Sequence, residues 1–185
     1  MEIRPAIQIQ SMIKAMTDVV LPAVDPEHKM AQEQARLVIG MLNLLAQRLP
    51  LQFRYDCDEL KRYVTLAAQL QEQVHGADKT RAATETMNAC LSKGAAVLDR
   101  ARAEPGEVEA AVFDLRAAVS ALVQAAAEEG DPSSRDALKQ LILGAAKIQL
   151  DRERAWLISM GFEADPSVVP PIESLIGAGP GAAHG

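Results

Sequence analysis

Aromatic residues make up only 3% of this 185-residue chain, although 49% of it is hydrophobic. Its core must therefore be built from aliphatic side chains, which suit closely packed helices. Cysteine is equally scarce. Cys57 and Cys90 stand alone, with no CxxC, so no disulfide framework is expected. Cys90, at a helical core spacing in "MNACLSKG", reads as a small buried apolar residue. Cys57 lies between Asp56 and Asp58, which raise a thiol pKa, so neither cysteine reads as a nucleophile.

The three histidines carry no HExxH and no three-histidine zinc set. GxGxxG, GxxxxGK[ST] and GxSxG are all missing, which removes the dinucleotide, P-loop and serine-hydrolase signatures. The net charge is −6 with no basic patch, which argues against nucleic acid as a partner. No apolar stretch reads as a membrane span, and "MEIRPAIQIQ" lacks the cationic start and apolar run of a secretory signal. A cytoplasmic protein with no cofactor is the expectation.

What the chain does have is helical periodicity. The first helix is expected from Pro5 to Val20, with Pro22 ending or kinking it. Asp25 and Pro26 read as the cap and first residue of a second helix reaching Leu49. Its Met30, Leu37, Val38, Met41, Leu42, Leu45 and Leu49 predict a buried face, and the helix is expected to be central. A third helix is expected from Asp56 or Asp58 to His75, closed by a left-handed Gly76. A fourth runs from Asp78 or Thr80 to about Ala103, and a fifth from about Gly106 to Glu129. The sixth follows "DPSSRD" as far as Met160, with Gly161 closing it and Phe162 folding back on the last turn. The fold class is thus all-α: a single-domain antiparallel bundle of about six helices over residues 1–161. A Pro/Gly-rich tail, extended rather than helical, is expected over 162–185.

Two acid-x-x-His spacings invite a metal reading. Glu72 precedes His75 by three residues, and Asp25 precedes His28 likewise. Paired Glu-x-x-His motifs with further glutamates build carboxylate-bridged sites in bundles, so Glu72, His75, His28 and Glu33 are the candidate ligands. Against this, both spacings fall at helix ends, where Asp25 acts as a cap and an imidazole suits the dipole. Helix capping is the preferred reading and no metal is assigned.

The remaining candidates concern recognition. "DRERAW" carries Arg152, Arg154 and Trp156, and "QFRYDCDELKRY" gathers Phe53, Tyr55 and Tyr63 with four acids and two arginines. Either stretch is a possible interface; the alternatives are a solvated helix face for the first and a space-filling corner for the second.

A short helix ending "VVLPAVDPEH", then "AQEQARLVIGMLNLLAQRLP", resembles the start of small all-helical bacterial proteins of uncharacterised function. Genes for those proteins lie near acyl-CoA dehydrogenases and aminoglycoside-phosphotransferase-like kinases. The resemblance covers about Ile3 to Leu70. It implies a small helical accessory protein and transfers no catalytic residue. The leading expectation is a non-catalytic accessory or interaction protein that docks on an enzyme or assembles with itself. The alternatives are a bundle binding an apolar or acyl molecule through its methionines, and a metal-dependent enzyme.

Overall fold

The computed structural model describes residues 4–100 and 102–177. Among these the regular elements are all helical, and the one bridge, Gly76 with Gly130, is isolated. The all-α expectation is met. The chain forms two compact units, Met1–Gln52 with Arg154–Pro170, and Phe53–Glu153 with Pro171–Gly185. The expected division into a 1–161 bundle and a 162–185 tail is drawn differently here. Residues up to Pro170 belong with the first unit, and the chain rejoins the second at Pro171. The expected glycine-rich end beyond residue 177 lies outside the described residues.

In the first unit, α1 (Pro5–Ala15) runs into a π-helical segment, Met16–Val20, and a last turn, Leu21–Ala23. Pro22 has no N–H to offer Asp18, four residues back, and the local register widens so that the Leu21 N–H reaches the Met16 carbonyl. Helix α2 (Lys29–Arg48) starts three residues later than expected. The Asp25 carboxylate is taken by the Glu27 N–H at 2.9 Å in a local turn, and His28 caps the helix instead. Its Nδ1 accepts from the Ala31 N–H at 3.2 Å.

The expectation that this second helix is central is overturned. Only Ala35 and Leu44 of α2 are buried. Periodicity marks an apolar face but does not say what covers it. Gly161 does adopt the left-handed conformation, with φ of 73°. Phe162 does not fold back, since it is 76% exposed.

In the second unit, α3 (Gln52–Gln73), α4 (Asp78–Asp99), α5 (Pro105–Glu129) and α6 (Pro132–Leu157, in this unit as far as Glu153) supply the core. Leu60, Leu70, Met87, Leu115 and Leu122 are its fully buried large side chains. Cys90 is half-buried against this cluster. Helix α5 places eight residues in the interior and takes the central part that α2 does not. Its alanine-rich sequence is also long and apolar enough to cross a membrane by length and composition alone, with mean hydropathy 1.4. That differs from the expectation of no such stretch. The reason is that its few charges leave long windows of Ala, Val and Leu, whose inner face packs on the core.

The α3–α4 and α5–α6 turns are zipped side by side. The Ala77 N–H donates to the Glu129 carbonyl, the Asp131 N–H to the His75 carbonyl and the His75 N–H to Ser134 Oγ at 2.8 Å. Gly76 is required here for close approach rather than for a left-handed φ, which corrects the expected role. A Cβ on it would lie 2.8 Å from the Glu129 carbonyl oxygen. Among the described residues only Gly161 has positive φ.

Candidate functional site

Two features rise above an ordinary helical scaffold, one in each unit. The first is on α2. Met30 is 65% exposed, Leu37 and Leu45 are each 50% exposed, and Val38, Met41 and Leu49 are also open. At 100° per residue, these six positions fall within about one third of the helix circumference. They form an aliphatic stripe on the solvent side, with Gln34 set into it, of on the order of 500 Å² of apolar surface, in the range of the largest patch on a typical soluble monomer, which is often functional. Beside its start, Leu21, Pro22, Val24 and Pro26 with Lys29, Gln32, Glu33 and Arg36 line an open groove of about 730 Å³.

The second feature is a buried guanidinium. Arg152, on α6, is 0% exposed. It stands over the Tyr55 ring at 4.2 Å, pairs with Asp58 Oδ2 at 3.2 Å and donates to Gln149 Oε1 at 2.7 Å and to the Tyr55 carbonyl at 3.3 Å. The Gln149 amide in turn donates to the Tyr55 hydroxyl at 3.2 Å. A charge this deep is tolerated because both terminal nitrogens find acceptors, in Asp58, Gln149 and the Tyr55 carbonyl, and the plane lies on a π-face, although the buried Nε has no hydrogen-bond partner. Glu59 is buried beside it. Burial pushes its carboxyl above the ordinary range, against the pull of Arg116 and Arg152. Burial likewise raises the Tyr55 and Tyr63 hydroxyls, and it raises the Cys57 thiol with Asp56 as the second cause.

The same face of α3 grips the returning chain. Arg54, Asp58 and Arg62 recur every four residues and so line one side of the helix. Arg54 donates through Nη2 to the Glu173 and Ile176 carbonyls, each at 2.8 Å, and through Nε to the Gly177 carbonyl. Arg62 Nη2 donates to the Leu175 carbonyl at 2.9 Å. Asp58 Oδ1 accepts from the Gly177 N–H at 3.0 Å while its Oδ2 holds Arg62 at 2.7 Å. Ile172 and Leu175 of the short helix α7 (Ile172–Leu175) are half-buried, and Ile176 is 3% exposed.

The recognition candidates are thus placed as follows. Arg152 and Tyr55 meet in the buried cluster. Phe53 and Tyr63 pack half-buried against the core of the same unit. Because α3 starts at Gln52, these aromatics sit on a helix and not in a corner loop. Trp156 and Arg154 are held inside the first unit. Arg48 stacks over the Trp156 ring at 5.3 Å and donates to its carbonyl, and Arg154 forms a two-pronged pair with Glu163 at 2.8 and 2.9 Å. The metal candidates are not gathered. His28 and Glu33 belong to the first unit, Glu72 and His75 to the second. Among the described residues no three His, Cys, Asp or Glu side chains cluster as a metal site.

Sequence reasoning missed Arg54, Asp58 and Arg62. Their four-residue spacing was visible within "QFRYDCDELKRY", but what they would hold lies more than a hundred residues away. No family model, no curated protein and no solved structure matches this chain.

Proposed function

We propose that this chain is a non-catalytic helical interaction protein that docks through the aliphatic stripe of α2. The observation that carries the reading is the exposure of Met30, Leu37, Val38, Met41, Leu45 and Leu49 on one side of a well-formed helix. The cost of leaving such a stripe in water is removed when another protein covers it. Anchors at positions 30, 37, 41 and 45 repeat as a helix presents them to a second amphipathic helix. The reading takes the protein as cytoplasmic, in keeping with its two free cysteines.

The test places two carboxylates in the stripe, Leu37→Asp with Met41→Asp. These positions are already solvent-exposed, so folding is preserved, as circular dichroism will check. Native chain is expected to self-associate in sedimentation, or to retain a defined protein partner from its own cells, and the double variant is expected to lose that association. A native chain that stays monomeric and retains no partner overturns the reading. So does a double variant that associates as well as the native chain.

A further inference from the structure

The contacts that seat Pro171–Gly177 on α3 have an unusual character. Arg54 and Arg62 donate only to backbone carbonyls of the segment, at Glu173, Leu175, Ile176 and Gly177, and Asp58 accepts from the Gly177 N–H. Side-chain identity enters most strongly at two points, with Ile172 and Leu175 half-buried besides. Ile176 is the deeply buried anchor. Gly177 sits so close that a Cβ would stand 3.3 Å from Asp58 Oδ1, tighter than an ordinary contact. Glu173 and Ser174 point to solvent. This is how a peptide-binding site reads a ligand: guanidinium forks and a carboxylate hold the main chain, and a pocket reads one aliphatic side chain.

The segment is also weakly tied to what precedes it. Within residues 161–170 only Glu163 and Val169 are even half-buried; a single 3₁₀ turn, Pro166–Val168, interrupts the approach, and Pro170 and Pro171 stop it from continuing as helix into the segment. Releasing the segment therefore breaks the clamp contacts and few others, which places it at the low-stability end of the molecule.

We propose that this face of α3 is a peptide-binding clamp, filled here by the chain's own Pro171–Gly177, and that it accepts the same segment from a second copy of this chain. The ligand class is a segment with one helical turn that ends in an aliphatic residue directly followed by glycine. The occupant is argued from the fit: the one sequence seen to satisfy every clamp contact is present in each copy. In one copy, a high effective concentration favours the closed arrangement, so exchange between copies appears when a copy's own pairing is disabled.

Complementation between two full-length variants tests this. Ile176→Asp spoils the segment and leaves the clamp intact. Arg54→Ala spoils the clamp and leaves the segment intact. Tagged I176D chain is expected to capture untagged R54A chain as a one-to-one complex, and to capture untagged I176D chain at least about tenfold less well, the loss expected when a charge replaces the buried aliphatic anchor while the clamp stays intact. Adding excess synthetic peptide spanning Pro171–Gly177 is expected to release the captured chain. Arg62→Ala serves as a second clamp variant if R54A loses helicity. Association through the α2 stripe would appear equally in every pairing, so the two interactions are separated by the pattern. Equal capture in all pairings, no capture in the complementary one, or capture that the peptide does not reverse overturns the proposal.

Discussion

Replacing Arg152 by methionine asks how a fully buried cation is held. The side chain keeps a similar length and loses its charge. Its donor bond to Gln149 at 2.7 Å is charge-assisted, worth about 1.5–3 kcal/mol, and the stack on Tyr55 adds up to about 2 kcal/mol where water is excluded. Two effects reduce the loss. Methionine carries no desolvation cost, and Asp58 is not stranded, because Arg62 still holds the same carboxylate oxygen at 2.7 Å. The balance is a destabilisation of about 2–3 kcal/mol, below the 3–5 kcal/mol typical when a buried partner is left alone. Urea denaturation followed by circular dichroism measures it. In a chain of this size the corresponding loss in Tm is roughly 4–12 °C. Adding Asp58→Asn should then change less in the R152M background than in the native one, since the two residues are in contact. An R152M chain as stable as the native protein, or more so, would refute the account, because the guanidinium would then be a net cost that its partners do not offset.

Two further outcomes follow from the same unit. The carboxyl of Glu59 is raised in the fold by burial, so the folded chain binds this proton more tightly than the unfolded chain. Its contribution is present below the unfolded pKa of about 4.3 and is lost as pH rises through the higher folded value. Glu59→Gln should therefore be the more stable protein at neutral pH, with the difference closing in acid, as paired urea titrations across pH will show. Gly76→Val should destabilise by about 1–3 kcal/mol, because its Cβ meets the Glu129 carbonyl and Thr80 at under 3 Å. Hydrogen exchange should show the Ala77 and Asp131 amides losing protection together, since both serve the zipped turns.

The helices were legible because their signals are local. Aliphatic periodicity, the prolines at 5, 105 and 132 and the acids before the last two set the elements to within a few residues. Boundaries slipped where local chemistry competed: an Asp25 turn delayed α2, and α3 opened at Gln52 before the acids at 56 and 58. The role of each helix was less legible. Both α2 and α5 read as apolar on one face, and only the fold shows that α5 is covered and α2 is open. Arg152 read as a charge in a solvated run, because nothing in "DRERAW" discloses a tyrosine 97 residues away. Trp156 read as either an interface anchor or a cover, and Arg48 beneath it belongs to a helix 108 residues upstream.

The path of the chain through the clamp bears on how it is made. Arg54 is synthesised 119 residues before Glu173, which at 5–20 residues per second is roughly 6–24 s of translation. During that interval a nascent chain has its clamp in place and its own ligand still unmade. The clamp face of α3 therefore waits on a distant stretch of its own chain, and until that stretch arrives the face is open to the same segment of a finished copy.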